Sequence, residues 1–292
     1  MHGRGRSPGV HSQTTSGGMV MAHEVNGATP LRPVPQQRIV EKLDEYMSRR
    51  DYAGAERHLK FWLEEALAAG DERGELMLRN ELVGHYRKTG NEEQALLHAE
   101  EALRLVEELG FARTISAGTT YTNVATALNA FGHDERSLEL FDKAVELYEG
   151  SPSTDPRLLG GLYNNRALVC VTLRRFDEAN QLYEKALVTM AEVENGELEQ
   201  AITYLNMADA AVAQCEAQSS ETAESQSDLE QCEQAVGSML ATALELLDTP
   251  SVPRDGYYAF VCEKCAPTFA HYGYFLADED LRARAKAIYE RA

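Results

Sequence analysis

One helix-pair pattern recurs along most of this chain and constrains its fold more than any other feature. The clearest copy is the segment 163–187, where Tyr163 and Ala167 share one face of a first predicted helix. After a short turn, Ala179 and Tyr183 share one face of a second helix. The small residues at 167 and 179 allow the two backbones to approach closely. Because one such pair cannot bury its apolar faces alone, we expect copies on either side.

Copies of this pattern recur at regular spacing. Moving the template along the chain places small or apolar residues in four equivalent positions of six repeats. Those positions, each in chain order, hold Ala55, Ala95, Ser137, Ala179, Val236 and Ala285; Leu59, Ala99, Phe141, Tyr183, Leu240 and Tyr289; Trp62, Ala102, Ala144, Ala186, Ala243 and Ala292; and Leu43, Val83, Ala125, Ala167, Ala208 and Gly273. The sequence therefore predicts six consecutive helix–turn–helix units.

The pattern resembles that of the tetratricopeptide repeat (TPR) family, in which W-x2-L-G-x2-Y precedes A-x3-F. The best matches are "YNNRALVCV … FDEANQLYEKAL" and "FAHYGYFL … AKAIYERA", and the resemblance covers roughly residues 36–292. It implies an all-α, right-handed superhelical solenoid of about six repeats. The first spacings are 40, 42 and 42 residues, against about 34 in the family. This resembles the long-repeat subclass of kinesin light chains and bacterial peptide-sensing proteins.

Two segments depart from the pattern. Residues 1–35 are rich in Gly, Ser, Thr, Pro and His and lack periodicity, so they are predicted to be a disordered tail, with Met1, Met19 and Met21 as alternative starts. The fifth repeat contains an acidic insert, residues 216–231, with five acidic and no basic residues. We expect a loop there, with a docking segment and a helical extension as the alternatives.

Charge and composition exclude several functions. The net charge is −19, and because the first 38 residues carry four arginines against one glutamate (+3), the remainder carries −22. Such an acidic body repels phosphate backbones and anionic lipid, so neither nucleic acid nor membrane is an expected partner. No apolar run reaches the ~20 residues of a membrane span, and no secretory signal follows the early arginines. Five scattered cysteines favour the cytoplasm.

No pattern of catalytic residues occurs, so the chain is not expected to be an enzyme or to need a cofactor. One motif could indicate a metal or redox site. It is the CxxC formed by Cys262 and Cys265, which falls inside a predicted helix. Together with Cys215 and Cys232 it allows a zinc or redox site. The favoured interpretation is that these cysteines are buried packing residues.

A second set of positions lies on the first helices, which line the concave groove in TPR relatives. The position of Asn165 also holds Asn123 and Asn206, with Glu41 and Glu81 earlier and His271 last. An amide both donates and accepts, so it can pair with the backbone of an extended peptide, as in the asparagine ladder of TPR relatives. The alternative is that these amides satisfy local or interhelical groups.

The resemblance and this face together predict a non-catalytic module that holds an extended peptide or protein segment. The predicted peptide-binding residues are Asn123, Asn165, Asn206, Asn80, Asn164, Thr122, Arg87 and His271. Nearby carboxylates favour a neutral or basic partner, and the basic residues of a carboxylate clamp are lacking. The main alternative is a self-associating scaffold, a homo-oligomer whose groove its own basic tail fills.

Overall fold

The computed structural model of the chain describes residues 32–219 and 226–291, which form twelve α-helices and no strand. The helices are α1 Gln36–Ser48, α2 Tyr52–Ala69, α3 Glu72–Thr89, α4 Glu92–Glu108, α5 Ile115–Ala130, α6 Asp134–Glu149, α7 Pro156–Thr172, α8 Phe176–Ala191, α9 Glu197–Ser219, α10 Gln226–Asp248, α11 Gly256–His271 and α12 Phe275–Tyr289. The predicted all-α fold of six helix pairs is confirmed for these residues. None of the described helices has the length and apolarity needed to cross a membrane.

The chain divides into two compact units, of which the first contains α1–α6 and the second α7–α12. In each unit consecutive helices pack as pairs, α1 with α2 and so on to α11 with α12. First helices of neighbouring pairs also contact each other, α3 with α5 in the first unit and α9 with both α7 and α11 in the second. Side chains on these first helices are therefore brought together within each unit.

Short polar and left-handed residues end and restart the helices. Side-chain oxygens cap the N-termini of α2, α3, α4, α5, α7 and α11, each accepting from a backbone N–H of the first turn. The turn inside five of the six pairs contains one residue with positive φ. These turn residues are Arg50 (55°), Gly90 (73°), Gly132 (78°), Arg174 (58°) and Gly273 (82°). They give a structural reference for aligning the repeats.

The small residues of the pattern lie where the two helices of a pair meet. Ala55, Ala95, Ser137 and Ala179 each stand five positions after the turn residue, and all four have no exposed surface. Ser137 keeps its hydroxyl satisfied by donating to the Ala125 carbonyl oxygen (2.7 Å). Close helix packing, as the sequence predicted, therefore depends on these positions.

The predicted register of the last repeat is wrong by seven residues. Gly273 was expected on the first helix, but at φ 82° it terminates α11. The residue five positions after it is Asp278, whereas the pattern had placed Ala285 there. Seven residues are about two helical turns, so an amphipathic pattern survives this shift almost unchanged.

The two segments that departed from the pattern are described only in part. Of the predicted tail, residues 1–31 lie outside the described residues, but Val34 packs into the core of the first unit and its N–H donates to Asp71 (2.8 Å). Of the acidic insert, residues 216–219 end α9 and residues 226–231 begin α10. These flanks follow the helical alternative, and residues 220–225 lie outside the described residues.

Candidate functional site

The candidate site is built on the first helix of each pair. We call rung positions the residues nine places before the turn residue. The matching residue of α9 is included from the sequence pattern, because residues 220–225 after α9 lie outside the described residues. They are Glu41, Glu81, Asn123, Asn165, Asn206 and Lys264. His271 does not occupy a rung position, because the register of its repeat is shifted. It is the exposed last residue of α11.

In the first unit a rung asparagine is tied to the neighbouring first helix. Asn123 on α5 donates through Nδ2 to Oδ1 of Asn80 on α3 (3.3 Å). Nδ2 of Asn80 in turn donates to the Leu76 carbonyl oxygen (2.9 Å) and to Oγ1 of Thr120 (3.0 Å). Both N–H groups and the oxygen of Asn80 are thus engaged inside the protein.

The second unit repeats this arrangement. Asn206 on α9 donates through Nδ2 to Oδ1 of Asn164 on α7 (3.1 Å), and Asn164 is buried. In both units a rung asparagine donates to the asparagine that precedes the rung on the earlier helix. Interhelical pairing, the alternative left open by the sequence, therefore occurs at Asn123 and Asn206, although each retains its side-chain oxygen and one N–H.

Asn165 differs from the other two rung asparagines. It is half-buried on α7, and its side chain makes no hydrogen bond with any residue in the described ranges. One turn earlier lies Gly161, where no atom would stand within 4 Å of an added Cβ. The amide of Asn165 is therefore available to a ligand that approaches an open stretch of helix.

Two further predicted residues have ordinary local roles. The hydroxyl of Thr122 donates to the Gly118 carbonyl oxygen of its own helix (2.8 Å). Arg87 is exposed in the last turn of α3, where a cation is favoured by the helix dipole. Neither side chain is joined to the asparagine pairs.

Glu81 makes the rung position of α3 electrostatically unusual. Its Oε1 atom is buried and has no hydrogen-bond partner among the described residues. Burial, and secondarily the negative charge of Asp44, raise the pKa of this carboxyl to about 7. A proton on Glu81 is therefore exchangeable near neutral pH.

A buried polar chain, which the sequence pattern did not reveal, links α3 to α4. Arg79 pairs with Glu75 on its own helix (Nε–Oε1 2.8 Å) and donates through Nη1 to Nδ1 of His98 (3.2 Å). The His98 ring stacks on Tyr86, with centroids 5.6 Å apart. Burial and the charge of Arg79 lower the pKa of His98 to about 4, so its imidazole is a neutral acceptor at pH 7.

The second unit also contains a shallow cavity between α9 and α11, with a volume of about 550 Å³. Asp209 and Glu216 line it from α9, and His271 and Tyr272 lie at its α11 side. The Tyr272 hydroxyl donates to Oδ1 of Asp209 (2.8 Å). These two residues are 63 positions apart, so only the folded chain brings them together.

Cys262 and Cys265 lack the surroundings of a reactive thiol. Both are buried, and none of the five cysteines, all of which lie in the described ranges, forms a disulfide bond. Burial raises the pKa of both thiols, that of Cys265 to about 12, which opposes formation of the reactive thiolate. Within the described ranges no three His, Cys, Asp or Glu side chains are grouped so as to hold a metal ion.

Tandem helix pairs, four of which carry a small buried residue five positions after the turn, are typical of the class of α-helical repeat proteins. A tetratricopeptide-repeat family model matches residues 74–150. Residues 74–150 are therefore assigned to the tetratricopeptide-repeat family, and the helix pairs on either side of this segment have the same helix–turn–helix architecture. No curated protein matches it in sequence.

Two solved structures with TM-scores above 0.5 share this fold. The Rap protein complexed with Competence and Sporulation Factor is 13% identical, with a TM-score of 0.56 over 88% of this chain and 64% of that chain. NprR in complex with its cognate peptide NprX is 14% identical, with a TM-score of 0.55 over 86% and 66%. This chain thus spans about two thirds of each. BtubC from P. vanneervenii is 18% identical, with a TM-score of 0.49 over 82% and 90%.

Proposed function

We propose that this protein is a non-catalytic module that binds an extended peptide, or an extended segment of a partner protein, on its first helices. The observation that carries the proposal is the Asn165 side chain, an amide with unused hydrogen-bonding capacity beside the open helix surface at Gly161. We further propose that it acts in the cytoplasm, where its five cysteines, none of which forms a disulfide bond, stay reduced.

The chemistry of the amide suits a backbone ligand. An extended peptide presents alternating N–H and C=O groups, and one amide side chain pairs with one of each. Asn123 and Asn206 retain an oxygen and one N–H after bonding to Asn80 and Asn164. In the proposed complex Asn123, Asn165 and Asn206 contact the peptide, whereas Asn80 and Asn164 hold two of these amides in position.

Two relatives in fold support this proposal. NprR is described with its cognate peptide, and the Rap protein with Competence and Sporulation Factor. Their likeness to this chain lies in the fold, so they indicate what such a fold accommodates. The exposed acidic residues Glu41 and Asp209 of the first helices, and a chain charge of −19, favour a neutral or basic partner.

The test compares two asparagines of the second unit. A random dodecapeptide library displayed on phage is selected against the full chain, and dissociation constants of selected peptides are measured by fluorescence anisotropy. Asn165→Ala is expected to weaken binding about tenfold to a hundredfold, the effect of two lost hydrogen bonds. Asn180→Ala, an exposed asparagine of the second helix α8, is the matched control and is expected to change nothing.

The full version of the experiment changes all three rung asparagines. If the Asn123→Ala/Asn165→Ala/Asn206→Ala variant folds normally by circular dichroism and keeps every selected peptide, the proposed mode of binding is wrong.

Self-association is a second candidate function, and one observation favours it. Tyr274, Phe275 and Leu276, at the turn and start of α12, are 42%, 69% and 82% exposed, a contiguous apolar group of the kind found at protein interfaces. Light scattering is expected to show a dimer that a Phe275→Ser/Leu276→Ser variant loses. Loss of the dimer in a chain starting at Leu31 would instead assign the contact to the N-terminal residues, and a monomeric wild-type protein would eliminate this candidate.

A further inference from the structure

The cavity between α9 and α11 combines negative charge with an apolar lining. Asp209 and Glu216 supply two carboxylates, and no lysine or arginine lines it. The apolar part of the lining consists of Val212, Ala213 and Pro267. This combination matches a side chain that has an aliphatic stem and a cationic end.

We propose that this cavity is a specificity pocket for one lysine or arginine side chain of the bound peptide, with Asp209 as the group that pairs with the cation. The inference rests on the proposed function, because it names a residue type that the peptide must carry. Both helices that form the pocket are first helices, so a peptide held by Asn206 on α9 runs beside it.

Asp209 is prepared for this role by Tyr272. The tyrosine hydroxyl donates to Oδ1 (2.8 Å), which fixes the carboxylate and leaves Oδ2 without a hydrogen-bond partner among the described residues. A preoriented carboxylate loses less side-chain entropy when it pairs with a cation. Tyr272 is thus a positioning residue and Asp209 the contact residue.

Glu216 has a different role in the proposed pocket. It lies seven residues after Asp209 on the same helix, or about 10 Å further along the axis, so one cation cannot pair closely with both carboxylates. Its charge adds to the attraction that a cation experiences on approach. Val212 and Ala213 lie between the two acidic residues and would contact the methylene groups of the stem.

The cavity is large enough to admit a side chain of the peptide. At about 550 Å³ it falls within the size range of ligand pockets, but it is shallow, and it would leave the peptide backbone outside. The backbone would then remain free to pair with the rung asparagines.

The experiment uses peptides selected by phage display on the full wild-type chain. We expect these peptides to share a lysine or arginine at one position. Replacement of that residue by norleucine, which keeps the stem and removes the charge, is expected to weaken binding about threefold to tenfold. Asp209→Asn should weaken binding of the cationic peptide by a similar factor and leave the norleucine peptide unaffected.

Two further variants complete the design. Glu184→Gln removes the same charge from an exposed position on α8 and is expected to leave both affinities unchanged, which controls for net charge. Tyr272→Phe keeps the ring but frees Asp209, and it should weaken only the cationic peptide, by less than Asp209→Asn does.

The outcomes separate this inference from the proposed function. If peptides bind and depend on Asn165, but show no cationic preference or keep their affinity in Asp209→Asn, the pocket assignment is wrong and the peptide-binding function stands. If no peptide is selected above background, both fail. Asp209 is exposed, so a folded Asp209→Asn variant is expected, and circular dichroism checks this.

Discussion

Asn206 on α9 donates a hydrogen bond to Asn164 on α7 across 3.1 Å. The same relationship joins Asn123 on α5 to Asn80 on α3. In each unit one asparagine thereby couples a repeat to the next, and the same residue type serves both cohesion between repeats and the proposed binding of a peptide.

The coupling predicts non-additive stability effects. Asn206→Ala and Asn164→Ala are each expected to lower the free energy of unfolding by about 1 kcal/mol. The double variant should lose less than the sum, because the second change finds no hydrogen bond left to remove. Urea unfolding measures the free energies of unfolding of the two single variants and the double variant. Asn165→Ala is the control, with an expected loss near zero, and strictly additive losses would contradict the pairing.

Because the pKa of Glu81 is raised, we expect the free energy of unfolding to fall as the pH rises. Its pKa is about 7 in the folded state, above the ordinary value, so the folded chain retains a proton between about pH 4.5 and 7 that the unfolded chain releases. Stability from this group is lost across that window. Glu81→Gln should therefore raise the free energy of unfolding by about 1–3 kcal/mol at pH 8 and leave it unchanged at pH 4.

The matched control for that experiment is Glu41→Gln. Glu41 holds the same rung position on α1 but is exposed, so its substitution removes the same charge without changing a buried group. A gain of equal size from Glu41→Gln would show that net charge, rather than burial of Glu81, is responsible.

Because the pKa of His98 is lowered, we expect the free energy of unfolding to fall as the pH decreases. Its pKa is lowered to about 4 in the folded state, so the unfolded chain binds the proton first as the pH falls. The corresponding stability is complete above about pH 6.5 and is lost between pH 6.5 and 4. His98→Gln keeps an acceptor for Arg79 but cannot become charged. It should remove about 2–3 kcal/mol of the acid-induced loss of stability, as measured by urea unfolding at a series of pH values.

Three glycines in first helices predict three different results on substitution by alanine. At Gly118 the new Cβ would lie 2.3 Å from the Tyr148 ring, and a loss of about 1–3 kcal/mol is expected. At Gly160 it would meet the flexible end of Met190 at 2.4 Å, so the loss should be smaller. At Gly161 it meets nothing, and a gain of about 0.5–1 kcal/mol is expected. Thermal or urea unfolding gives the order, and equal values for Gly118→Ala and Gly160→Ala would contradict the packing argument.

The helix pairs were predictable because their packing requires a recurrent residue type at a fixed distance from the turn. Ala55, Ala95 and Ala179 fulfil this requirement in sequence and are fully buried in the structure. The predicted register of the last repeat was wrong because periodicity alone cannot distinguish registers that differ by two helical turns. The left-handed residue Gly273 marks the turn, but a glycine in a sequence does not reveal its φ.

The candidate site was predictable only to the level of the helix face. Repetition at constant spacing identified Asn123, Asn165 and Asn206 as equivalent. Their different bonding depends on what the neighbouring helix presents, and this follows from the contact between repeats rather than from spacing within one repeat. The contact of Asp209 with Tyr272 could not be predicted from the sequence for the same reason, since each residue viewed alone is an ordinary surface side chain.

Gly161 has a consequence for the substitutions that this protein can accept during evolution or engineering. Alanine at that position is expected to strengthen α7, yet its methyl group would occupy the open surface beside Asn165 where we propose that a peptide binds. Improvement of the helix and recognition of a ligand would then oppose each other at a single residue. A hyperstable variant obtained by filling helix glycines would be at risk of losing its ligand without any visible defect in the fold.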